Sequence, residues 1–158
     1  MMPDARPTAL DPGTLSERRG SAYPEPFRRA VAERAKRALG DPFGLTRFGV
    51  NLVRLPPGCW SSQRHWHSHE DEFVMIVEGE LVLVTDAGEQ TLRPGMVAGF
   101  AAGRADGHHL ISRSDQPATY LEVGSRSDVD EAVYSDIDME LRLRGGDHVF
   151  VRKNGEPY

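Results

Sequence analysis

GCWSSQRHWHSHEDEFVMIVEG, residues 58–79, is the stretch on which the reading of this chain turns. His65, His67 and His69 fall at alternate positions, and on an extended strand alternate side chains project to the same side. Glu72 follows His67 after four residues, near enough to return to the same centre from a short turn or the next strand. Phe73 to Val77 is an unbroken apolar run that must be buried, and Glu78-Gly79-Glu80 ends it with a turn signal. Imidazoles and a carboxylate held on buried strands form a mixed nitrogen and oxygen donor set suited to a divalent metal.

The flanks of this stretch share its strand character. From Thr46 apolar residues alternate (Phe48, Val50, Leu52), and Pro56-Pro57-Gly58 closes that strand. Downstream, Leu81 to Thr85, Met96 to Phe100, His108 to Ser112 and Thr119 to Val123 are β-rich segments separated by Asp86-Ala87-Gly88, Pro94-Gly95 and Ser114 to Pro117 turns. Short strands at this spacing predict an all-β sandwich or barrel over residues 46–124. Residues 125–158 form an acidic C-terminal extension, with short strands expected at 139–142 and 149–152. Residues 1–23 are polar and without periodicity, and read as a flexible arm. Between arm and barrel, Phe27, Ala30, Val31, Ala35, Ala38 and Leu39 recur at near-helical spacing before Gly40. They predict the one substantial helix, within a 24–45 segment that packs on the barrel with a solvated basic face.

Composition narrows the function classes. A formal charge of -5 and a pI near 5.7 argue against a basic nucleic-acid face. No apolar run approaches the roughly 18 residues of a membrane span, and the N-terminus carries no secretory signal. Cys59 is the only cysteine, which excludes an internal disulfide and fits a cytoplasmic location.

The central stretch resembles the first motif of the cupins, small double-stranded β-helix barrels. Gly58, six spacers, His65-Trp66-His67, four spacers, Glu72, six spacers and Gly79 follow that motif, one residue long in the first gap. The second motif opens at Gly95, but Ala101-Ala102-Gly103 lacks its proline, the loop to His108 is longer, and Ser112 stands where the family has asparagine. The whole resembles single-domain bacterial cupins of the mannose-6-phosphate-isomerase-like type. Carried over by position, the resemblance implies His65, His67, Glu72 and His108 as ligands of one divalent transition metal per chain (Fe, Mn, Ni or Zn). His108 and His109 face opposite ways on a regular strand, and the spacing to Ser112 favours His108. His69 is placed at the pocket rim, although a two-residue register slip would make it a ligand.

Four protein ligands on a six-coordinate ion leave two positions for substrate. The expected function is a metal-dependent enzyme acting on a small oxygenated metabolite, by isomerase, lyase or dioxygenase chemistry. Tyr120, Glu122 and His69 are the candidates for acid, base or substrate contact. The alternative is a non-catalytic cupin that binds a sugar or organic acid. Because both faces of the 73–77 strand are apolar, a homodimer is expected, with no nucleic-acid or membrane partner.

Overall fold

The computed structural model describes residues 6–158. Its strands are β1 (Arg18–Arg19), β2 (Ala35–Ala38), β3 (Phe48–Leu55), β4 (His65–His67), β5 (Glu72–Glu78), β6 (Leu81–Thr85) and β7 (Gly88–Leu92). They continue as β8 (Val97–Phe100), β9 (His109–Ile111), β10 (Ala118–Ser125), β11 (Ala132–Tyr134), β12 (Glu140–Arg144) and β13 (Asp147–Val151). One sheet has the order β1-β2-β3-β10-β5-β8. The sheets β13-β12-β11-β4 and β7-β6-β9 are tied to each other by bridges at His65–His108 and Trp60–Ile111. The all-β barrel expected from the sequence is the architecture found.

The register of the six-stranded sheet sorts its inner side chains into rows. Lys36, Val53, Tyr120 and Ile76 lie across β2, β3, β10 and β5 in one row. Ala38, Asn51, Glu122 and Val74 form the next, and Gly49, Gly124, Glu72 and Phe100 the one after. Val53, Tyr120 and Ile76 are fully buried and join Leu55, Leu81, Leu83, Leu92 and Leu110 in the main core. The inner face therefore grades from apolar at one end of the barrel to polar at the other. The polar end is where a site can form without opening the core.

The helix expected over 24–39 does not form. That segment makes turns, one 3-10 turn at Arg29–Val31 and strand β2. Two forces decide this. Pro24 and Pro26 bias the residues before them away from helical backbone. Eight-residue β3 would also expose an unpaired edge, which β2 covers through the Ala35–Arg54 to Ala38–Asn51 register. Val31 still supplies its apolar side chain, packing fully buried with Tyr23, Ala132, Tyr134 and Met139. Of the arm expected at 1–23, residues 1–5 lie outside the described residues. The remainder includes a 3-10 turn at Pro12–Thr14, capped by Asp11, and β1. The C-terminal extension pairs directly with the histidine strand, β11 against β4.

Gly79 makes the tight turn between β5 and β6 at φ +76°, and a Cβ there would lie 2.7 Å from the Pro117 carbonyl oxygen and 2.8 Å from Ala118 Cα. Those neighbours are backbone and cannot step aside. Gly79→Ala should therefore destabilise the barrel by at least about 2 kcal/mol, measured by urea denaturation. An unchanged midpoint would show that the turn tolerates a side chain.

Candidate metal centre

β4 delivers two imidazoles to one place because His65 and His67 alternate along it. Glu72, at the start of β5, comes from the opposite sheet. Ligand-capable atoms of His65, His67 and Glu72 all lie within 4.8 Å of one another. Nε2 of His65 and Nε2 of His67 are 3.1 Å apart, and Glu72 Oε2 is 3.7 and 3.6 Å from them. His108 reaches the same carboxylate oxygen from the third sheet, with Nε2 2.7 Å away, although it falls outside the three-residue set. The bridge between His65 and His108 puts their side chains on one face. His109, the next residue, points elsewhere: its Nδ1 meets the Ser62 carbonyl at 3.0 Å and its ring packs edge-on against Trp60.

The hydrogen bonds around the rings fix where the protons are. His65 Nδ1 is 2.8 Å from the Gln63 carbonyl, which can only accept, so that nitrogen carries the hydrogen. His67 Nδ1 is 2.6 Å from Asp130 Oδ2 and donates to it in the same way. In both neutral rings the Nε2 lone pair then faces the centre, and two lone pairs 3.1 Å apart require a proton or a metal ion between them. His108 Nδ1 is also buried without a hydrogen-bond partner, and the buried Glu72 Oε2 meets only the three imidazoles. The Nε2 pair and the carboxylate oxygen facing it fit a divalent ion, and a carboxylate behind a ligating histidine is the usual outer support.

The electrostatics agree. Burial pushes the His65 imidazole down to about 4 against the pull of Glu72. Burial would raise Glu72, but contact with His108 and the neighbouring histidine charges hold its carboxyl at about 2. For His67, burial lowers the pKa, while Glu72 and Asp130 outweigh it and leave the ring above its usual range. Of the rings in this centre, His67 is the one whose affinity for a proton is raised, so proton and metal compete there.

A pH prediction follows from the directions. His65 and Glu72 are depressed from 6.5 and 4.5, so their contributions are present above those values and vanish as pH falls toward about 4 and about 2. His67, being raised, contributes fully below 6.5 and loses its contribution only as pH rises through its folded value. Between pH 6.5 and 4 the urea midpoint of metal-free protein should therefore fall with acidification, and His65→Asn should flatten that slope. An equal slope in the variant would remove His65 as its source.

Three cavities meet at Glu72. One of about 350 Å³ is lined by Trp66, His67, Phe100, Arg104 and His108. An inner one of about 190 Å³ holds Arg34, Lys36, His65, Tyr120 and Glu122. The third, about 310 Å³, opens between β1, β2, β3 and β10. Glu122 Oε2 accepts from Lys36 Nζ at 2.8 Å and Asn51 Nδ2 at 3.1 Å. Tyr120 is buried, which pushes its hydroxyl well above the usual tyrosine range. His69 is exposed, bonds Ser68 Oγ at 2.8 Å and lines none of these cavities. Asp130, Lys36 and Arg34 were missing from the sequence reading. The alternation of Asp130 with Ala132 and Tyr134, all buried, was the one available signal for the first.

A model of the cupin domain matches residues 51–124. A sugar phosphate isomerase of the cupin superfamily from Silicibacter pomeroyi is 47% identical, with a TM-score of 0.91 over 95% of this chain and 96% of that one. The chain belongs to the cupin superfamily. A second structure, from Acidithiobacillus ferrooxidans and provisionally named a sugar phosphate isomerase, is 27% identical with a TM-score of 0.73, covering 80% of this chain and 81% of its own. A polyketide cyclase from Streptomyces resistomycificus, 22% identical over 74% of this chain and 78% of its own, shares the cupin fold alone at a TM-score of 0.59. No curated protein matches the chain. Among the described residues of this cupin no helix is long and apolar enough to cross a membrane.

Proposed function

We propose that this cupin is a metal-dependent enzyme that isomerises a small phosphorylated sugar, with His65, His67, Glu72 and His108 as the protein ligands of one divalent ion. The observation that carries the metal reading is the 3.1 Å approach of two imidazole nitrogens whose partner nitrogens are already committed as donors. The reaction class is supported by the 47% identical sugar phosphate isomerase. A divalent ion held there polarises a carbonyl or hydroxyl oxygen of the substrate.

Interconverting an aldose and a ketose moves one proton between neighbouring carbons and a second between their two oxygens, and the carbon-bound proton needs a base. Glu122 is placed to take and return it. It pairs with Val74, two residues from Glu72 on β5, so Glu122 and Glu72 are diagonal neighbours whose backbone positions lie about 7–8 Å apart across the sheet. Lys36 and Asn51 hold one carboxylate oxygen and leave Oε1 for substrate. Tyr120, protonated in its buried setting, serves as a hydrogen-bond donor on the same face.

The test is exchange in heavy water. Metal-loaded protein should place deuterium on the carbon beside the carbonyl of an aldose or ketose phosphate, read by NMR. Glu122→Gln should slow that exchange by about 10²–10⁴-fold while retaining metal. Metal-loaded protein that binds such compounds but exchanges no proton would establish the non-catalytic binder instead.

A homodimer belongs to the same proposal. Phe73, Val77 and Val97 are 41%, 48% and 54% exposed on the outer face of β5 and β8, an apolar group the single chain does not cover. Light scattering at micromolar concentration should give twice the chain mass of 17.5 kDa, and a monomer mass would end this part of the reading.

A further inference from the structure

The open end of the six-stranded sheet gathers three cations, Arg18, Lys36 and Arg126, of which Lys36 and Arg126 are paired with carboxylates and Arg18 is not. Arg18 lies directly opposite Lys36 in the β1–β2 pair, so both side chains share a face, and like charges in that position repel. Lys36 is answered by Glu122 at 2.8 Å. Arg18 has no ion-pair partner among the described residues. The cavity of about 310 Å³ that both line also receives Arg126, and it shares His67 and Glu72 with the metal centre. Its other carboxylates are engaged. Asp41 meets Arg126 at 3.3 Å, Glu122 takes Lys36 and Asn51, and Glu70 Oε1 takes the Ser127 N–H at 2.9 Å.

The floor of this cavity supplies an independent observation. Gly49 and Gly124 face each other in the β3–β10 register, and Gly124 pairs on its other side with Glu72. Neither has a positive φ. A Cβ on either would meet nothing closer than 3.6 Å at Gly49 and 3.7 Å at Gly124. Neither backbone shape nor packing therefore demands glycine. Glycine inside a strand weakens it, and here the pair leaves a trough where another molecule can approach the backbone.

We infer that this trough is a subsite for a phosphate monoester dianion, held by Arg18, Lys36 and Arg126 while the oxygenated carbons of the same molecule extend to Glu72 and the metal. This rests on the reading of the substrate as a phosphorylated sugar. Two guanidinium forks and an ammonium suit the several acceptor oxygens of a phosphate better than the two of a carboxylate.

Inorganic phosphate is the probe, titrated calorimetrically into metal-stripped full-length protein near neutral pH and at low ionic strength. Saturable binding should appear, weakened about tenfold by Arg18→Gln and removed by Gly124→Val, whose side chain fills the trough. His109→Gln, whose ring lies outside this cavity, should bind phosphate as the unmutated protein does. Arg18 is exposed, so its variant keeps the test valid even where Gly124→Val fails to fold. Absence of saturable binding, equal binding by Arg18→Gln, or equally tight binding of glycolate would each overturn the subsite. Because the metal-free protein is used, loss of the isomerase reading leaves a positive result standing. Conversely, turnover of phosphosugars without phosphate binding would remove the subsite alone.

Discussion

His67→Ala protein made in metal-rich medium and purified without an affinity tag should contain almost no transition metal by elemental analysis. Unmutated protein should hold about one ion per chain, and His69→Ala and His109→Ala should match it. His67 contributes one of the two Nε2 lone pairs 3.1 Å apart and lies 3.6 Å from Glu72 Oε2, so its loss removes a corner of the three-residue set. The penalty should exceed the roughly 10–100-fold that follows from losing an outer partner of a ligand. In unmutated protein, metal affinity should weaken as pH falls through the raised pKa of His67, because proton and metal compete for the same nitrogen. The fold should persist in His67→Ala, since the main core of Val53, Leu55, Ile76 and Leu81 lies apart from the ring. Stoichiometric metal in the variant would place the centre elsewhere.

The second large effect is expected at Asp130. The residue is 4% exposed, and its carboxylate accepts from His67 Nδ1 at 2.6 Å and from the backbone N–H groups of His69 and Glu70 at 2.8 and 3.2 Å. Asp130→Ala leaves two backbone donors and one imidazole N–H without their acceptor. Breaking a buried charged pair in this way should cost about 3–5 kcal/mol in urea denaturation. It should also weaken metal binding about 10–100-fold, because the His67 ring loses the bond that sets its tautomer and angle. Asp130→Asn keeps the shape and an accepting oxygen, so it should recover most of the stability while remaining weaker toward metal. A variant Asp130→Ala that melts and binds metal as the unmutated protein does would leave His67 positioned by something else.

What could be read from the sequence follows from how local each signal is. His65 and His67 obey a period of two and the 73–77 run is continuously apolar, all within about a dozen residues, and the structure brings His65, His67 and Glu72 within 4.8 Å. The segment at 27–39 misled because spacing at 27, 30, 31, 35, 38 and 39 satisfies a helix. The need of β3 for an edge partner is a tertiary fact invisible in that window. Asp130 lies 63 residues from the ring it supports, and Lys36 lies 86 residues from Glu122. No local pattern links such pairs; only the register of β11 on β4, and of β2 and β10 on β3, does.

Phe100 lies flat on the His108 ring, with centroids 3.5 Å apart and planes 3° from parallel. Protons on an imidazole held above a benzene face sit in the shielding cone of its ring current. In a zinc-loaded sample, which is diamagnetic, the carbon-bound protons of His108 should resonate upfield of those of the other five histidines. That displaced signal gives the centre a built-in magnetic reporter, one that shifts when an occupant of the cavity beside Phe100 tilts either ring.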